Sequence, residues 1–132
     1  MPELGVGASG SAVLLCPSDD LQEKGLAVSF DVLVQGELRP AFAVRYQGKV
    51  HAYLNRCVHL PMEMDFQANR FFDASGRWLI CSTHAALYEP DSGACVSGPC
   101  AGTLVKIELS EAQGMVYWHT SALIENALGE DD

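Results

Sequence analysis

Five turn signals punctuate this chain, and their spacing constrains its fold more than any other feature. Gln35-Gly36-Glu37, Gln47-Gly48-Lys49, Asp73-Ala74-Ser75-Gly76, Pro90-Asp91-Ser92-Gly93 and Glu111-Ala112-Gln113-Gly114 all supply residues that bend the backbone sharply. Between them lie short runs rich in β-branched and aromatic residues, at 26–34, 41–46, 50–54, 70–72, 77–80, 84–88, 103–109 and 115–119. Short strands spaced by turns indicate an antiparallel sandwich or small barrel, so the expected class is all-β. Residues 55–70 contain Pro61, alternate poorly and read as a loop. Only residues 121–128 look helical, with Thr120 or Ser121 as the cap and Leu123, Ala127 and Leu128 on one face. A short C-terminal helix is therefore expected within 120–132, ending in the acidic tail Gly129-Glu130-Asp131-Asp132. Residues 1–25, broken by Gly5, Gly7, Gly10, Pro17 and Asp19-Asp20, are expected to be partly a flexible lead-in.

A chain of 132 residues suffices for one sizeable core and is too short for two, so a single domain over 1–132 is expected. The formal net charge of −9 argues against nucleic acid, because neutralising phosphates requires clustered Lys and Arg. It suits a basic protein partner, or simple solubility. No stretch approaches the roughly 20 apolar residues of a membrane span. No Lys or Arg precedes Lys24, and the early apolar run Ala12-Val13-Leu14-Leu15 is short. Neither a secretory leader nor a membrane anchor is expected, and the chain reads as cytoplasmic. Five cysteines are an odd count, and in a reducing compartment cysteines more often bind metal, do redox chemistry or pack than pair.

Two segments pair a cysteine with a histidine. Cys57-Val58-His59 falls in the loop after the third strand, and Cys81-Ser82-Thr83-His84 at the far end of the next hairpin. Each segment can present one soft thiolate and one imidazole to the same small cofactor. A [2Fe–2S] cluster with two Cys on one iron and two His on the other fits that set, and its histidines raise the reduction potential above that of all-Cys clusters. Tetrahedral zinc also accepts Cys₂His₂, although zinc pairs are usually separated by two or more residues and Cys57 and His59 by only one.

The pattern C-x-H, 21 residues, then C-x-x-H resembles that of the Rieske family. Leu87-Tyr88-Glu89-Pro90-Asp91-Ser92-Gly93 and Val96-Ser97-Gly98-Pro99 resemble the family's third loop, where a Gly-Pro segment packs over the cluster. The resemblance extends over roughly residues 26–119. It implies a Rieske-like fold with a cluster-binding subdomain and one [2Fe–2S] cluster per chain. Cys57 and Cys81 would hold the buried iron, which stays ferric; His59 and His84 would hold the outer iron, which gains the electron. Leu60-Pro61-Met62 would shield the cluster from water.

The sequence departs from the respiratory branch of that family. The branch's extra pair of disulfide-forming cysteines is replaced by Met62 and Thr83, and the serine two residues past the second histidine by Ala86. Tyr88 does match the branch's tyrosine, which can donate to a cysteine sulfur. Losing a hydrogen bond to sulfur lowers the potential. The resemblance therefore implies the disulfide-free, low-potential ferredoxins that pass electrons from a reductase to an oxygenase, with no substrate chemistry of their own. Other roles it admits are a small Rieske subunit of a larger oxidoreductase, of the nitrite-reductase kind, and a redox sensor. A complete oxygenase would need a further catalytic domain, for which residues 85–132 leave no room. Of the remaining residues, His51 and His119 read as ordinary strand histidines, Trp78 as core packing, Cys16 as a bystander, and Cys95 and Cys100 as free, packed thiols.

Overall fold

A computed structural model describes residues 11–56, 69–81, 86–98 and 102–126. Among these the chain forms eleven strands and a single 3₁₀ turn at Ser18–Asp20. In chain order the strands are β1 (Ala12–Pro17), β2 (Val28–Val34), β3 (Glu37–Tyr46), β4 (Lys49–Leu54), β5 (Leu79–Cys81), β6 (Ala86–Tyr88), β7 (Cys95–Ser97), β8 (Lys106–Ile107), β9 (Leu109–Ala112), β10 (Met115–His119) and β11 (Ile124–Asn126). They build three antiparallel sheets, ordered β1-β10-β9, β11-β2-β3-β4-β8 and β5-β6-β7.

The centre of the fold is legible in β3. Residues 41–44 are all buried, a continuous run rather than an alternation, as expected of a strand covered on both faces. The two faces differ in size. Ala41, Ala43 and Ala52 point with Val32, Leu54 and Ile107 into a core shared with Cys16, Val116 and Trp118 of the β1-β10-β9 sheet. Phe42, Val44 and Tyr53 point the other way, into a second core with Phe71, Leu79, Cys81, Ala86, Tyr88 and Leu104. Small side chains thus bring one sheet close, while aromatics reach across to the other.

Tight turns fix the register. Gln35-Gly36 closes β2 on β3 so that Val34 faces Glu37, and Gln47-Gly48 closes β3 on β4 so that Tyr46 faces Lys49. Both turns place two successive residues at positive φ, the type I′ geometry whose twist matches paired strands. Arg45 then ties the layers together. Its guanidinium donates to the carbonyls of Leu21 (2.6 Å), Ser18 (3.2 Å) and Gly48 (3.1 Å), and pairs with Glu111 on β9 at 2.6 Å.

Two expectations are corrected. The C-terminal helix does not form over 124–126: Ile124–Asn126 is strand β11, paired with Val32–Val34. Its two-strand contact and the burial of Ile124 outweigh the local helical pattern, and the remainder of the expected helix, 127–132, lies outside the described residues. Within the expected lead-in, Ala12–Pro17 is strand β1, paired with β10, and Leu21 is buried; residues 1–10 lie outside the described residues. The single strand expected over 103–109 is divided: β8 adds to β4 and β9 to β10, with Glu108 between two different sheets.

Candidate metal centre

Of the four expected ligands, the described residues include Cys81; Cys57, His59 and His84 lie outside them. Cys81 is the last residue of β5, fully buried and not in a disulfide. It faces Ala86, and the four residues that join β5 to β6, His84 among them, open directly from that pair. The other ligand segment begins just past β4, where Asn55 is buried and its N–H donates to the Pro40 carbonyl at 2.9 Å.

Sheet β5-β6-β7 is made of three-residue strands, so its position depends on what it packs against. Phe71 and Phe42 stack with ring centroids 3.8 Å apart and planes 7° from parallel, and the Phe71 carbonyl accepts from Ile80 N–H at 2.8 Å, so β5 is tied to the central sheet. The Tyr53 hydroxyl donates to the Pro90 carbonyl at 2.8 Å, which anchors the 90–93 turn. Burial pushes the Tyr53 phenol far above its ordinary range, so it stays protonated and a donor. Sequence reading missed this anchor, and Gly93 is its trace. A Cβ there would lie 2.8 Å from the Tyr53 ring, and φ is +78°.

The Gly-Pro loop is closed at its neck. Cys95 N–H donates to the Gly102 carbonyl at 2.9 Å, and Ala94 bridges Thr103. Cys95 is disulfide-bonded, which corrects the expectation of a free thiol. Cys16 and Cys81 are not in disulfides, so the partner lies outside the described residues.

Tyr88 is fully buried on the same face as Cys81, Leu79 and Ala86, one diagonal step across the β5-β6 pair from Cys81. The other expectations divide. His51 and His119 are partly buried on their strands, and burial holds the His51 imidazole below its usual pKa. Cys16 sits in the core between sheets, where burial pushes its thiol up. Trp78 is half-buried rather than core, with the Arg77 guanidinium 3.9 Å above its ring.

The donor chemistry fits an iron–sulfur group. A soft thiol at the buried end of a strand, excluded from water and set on a hairpin whose connection carries an imidazole, is the pairing such a cluster takes. A family model for the Rieske [2Fe-2S] domain matches residues 11–112. The chain belongs to the Rieske [2Fe–2S] family. The group that this domain carries is one [2Fe–2S] cluster.

Among solved structures, the ferredoxin of carbazole 1,9a-dioxygenase from Nocardioides aromaticivorans IC177 is similar at TM-score 0.65 and 21% identity, over 83% of this chain and 97% of that one. The Sphingomonas yanoikuyae B1 ferredoxin is similar at TM-score 0.60 and 18% identity, over 80% and 95%. The terminal oxygenase of carbazole 1,9a-dioxygenase from Novosphingobium sp. KA1 shares the fold at TM-score 0.65 and 20% identity, over 95% of this chain but 32% of that one. No curated protein is detectably similar in sequence. Among the described residues no helix is long and apolar enough to cross a membrane.

Proposed function

We propose that this Rieske chain is a one-electron carrier whose cluster is held by Cys57, Cys81, His59 and His84, and which passes electrons from a reductase to an oxygenase or another acceptor. The reading rests above all on extent: the resemblance takes in nearly all of two ferredoxins but only a third of an oxygenase. When bound, the cluster supplies a reversible one-electron couple. The chain's own residues set the conditions for it. The buried face of Cys81, Ala86, Tyr88 and Phe71 keeps water from the thiolate side. Imidazoles at His59 and His84, on the outer iron, would leave their far ring edges towards a partner, so the chain needs no substrate pocket to do its work.

The same reading assigns a potential near the bottom of the Rieske range of about −150 to +300 mV. The Ala86 side chain has no hydroxyl to donate to sulfide, while the buried Tyr88 on the Cys81 face retains one donor. We also place the carrier, as one domain over 1–132, in the cytoplasm. The Cys95 disulfide runs against that location, since such compartments keep thiols reduced.

Electron paramagnetic resonance of the dithionite-reduced protein tests the reading. The expected spectrum has a lower average g-value than an all-Cys [2Fe–2S] cluster, and His84→Cys lowers the midpoint potential if the cluster survives. A colourless protein carrying zinc, or a spectrum of the all-Cys kind, overturns it.

A further inference from the structure

A cleft of about 710 Å³ lies between the chain at 24–26 and the hairpin at 70–76. It is open to solvent, and its lining mixes two kinds of group: Leu26, Phe72 and Ala74 are apolar, and Lys24, Arg70, Asp73 and Ser75 are polar. Its charge runs against that of the molecule. The chain carries −9, yet two of its eight basic residues converge on this one cleft.

Neither cation is paired with a carboxylate among the described residues. The ion pairs among the described residues are Arg39–Glu37, Arg45–Glu111 and Arg77–Glu89, and neither Lys24 nor Arg70 takes part in one. The cleft's single carboxylate is already engaged. Asp73 Oδ1 accepts from the Ser75 hydroxyl at 2.8 Å and from the Trp78 N–H at 3.4 Å, which folds it into its own turn.

The walls are also built rather than accidental. Lys24 has φ +56°, costly for a residue with a side chain, and is held there by its N–H on the Arg45 carbonyl at 2.9 Å. Its stem runs over Gly76, where a Cβ would come within 3.1 Å of Lys24 Cδ, and its ammonium lies 5.8 Å from the centre of the Tyr46 ring. Arg70 follows Asn69, itself at φ +64°. The Asn69 carbonyl accepts from Ala27 N–H at 2.8 Å, and its side-chain oxygen from the Ser29 hydroxyl, which pins one wall to the other.

We propose that this cleft binds a small organic anion, a carboxylate with an apolar body, its charge between Lys24 and Arg70 and its body against Leu26 and Phe72. Two cations from separate segments can grip two oxygens at once, and a guanidinium does so in a planar fork. A bare inorganic ion would leave the apolar wall unused.

Calorimetric titration of the cluster-loaded full chain with 4-phenylbutanoate tests the site, and its readout is independent of any electron transfer. One saturable site per chain is expected. Arg70→Gln and Lys24→Gln should each weaken it by roughly three- to tenfold, with the visible and near-ultraviolet spectra unchanged. Lys49→Gln, an exposed cation on the β3–β4 turn, should leave it alone. The neutral amide 4-phenylbutanamide should bind far more weakly, and inorganic phosphate should compete poorly. The proposal is overturned if no saturable binding appears, if the amide or phosphate binds as well as the acid, or if Lys49→Gln matters as much as Arg70→Gln.

Discussion

The central sheet and the β5-β6-β7 sheet solve the same problem of holding strands in place by different means. β2, β3 and β4 run six to ten residues, and their register is set locally by two glycine-bearing turns. The sheet that carries Cys81 has three-residue strands and a register irregularity between Leu87 and Tyr88. It is held from outside itself, by the Phe42–Phe71 stack, the Tyr53–Pro90 hydrogen bond and the closed neck of the third loop. One region specifies its own geometry, and the other borrows it. Borrowed geometry leaves the loop residues free to be chosen for ligation rather than for strand formation.

The most severe way to break this contrast is to remove the largest borrowed contact. Phe71→Ala should destabilise the protein by about 3–5 kcal/mol, the range for losing a buried aromatic. Its signature is regional: amide exchange should accelerate in β5–β7 and the cluster should be lost faster, while β2–β4 stay protected. Equal acceleration in both sheets would show that they unfold as one unit. Gly93→Ala should come next, at about 2–4 kcal/mol, since it combines positive-φ strain with a Cβ driven into the Tyr53 ring. Gly48→Ala supplies the comparison. It has the same positive φ but nothing within 4 Å, so thermal unfolding should report strain alone, about 1–2 kcal/mol.

That asymmetry also explains what could be read in advance. The turns at Gln35-Gly36 and Gln47-Gly48, and the strands they join, follow from residue types within a few positions of one another. The two Cys-x-His and Cys-x-x-His motifs that point to the family were visible for the same reason, because each is a local spacing. What was not read in advance depends on distant partners. Ile124–Asn126 is a strand because β2 offers it an edge, and Ala12–Pro17 because β10 lies beside it about a hundred residues later. The break at Glu108 exists because two sheets compete for one run. The Cys95 disulfide was missed because the expectation rested on compartment, and pairing depends on which thiol the fold brings near, which local sequence does not carry.

The smallest effect belongs on the other side of the molecule. Glu111 on β9 and Arg45 on β3 join the two sheets that enclose the small-residue core, and the Arg45 guanidinium holds the Glu111 carboxyl below the usual carboxylate range. A carboxylate with a lowered folded pKa contributes stability that is fully present above its ordinary value near 4.5 and disappears as pH falls through the lower folded value. Glu111→Gln should therefore cost about 1 kcal/mol at neutral pH, and the gap between variant and parent should close as acid is added. Denaturant titrations at pH 7 and below pH 4 measure that gap. The loss should fall on β1, β9 and β10 and leave exchange in β5–β7 unchanged, because this clamp touches neither Phe71 nor Tyr53. A gap that persisted in acid would mean that the clamp acts through shape and the three backbone carbonyls on Arg45, with the charge of Glu111 adding nothing.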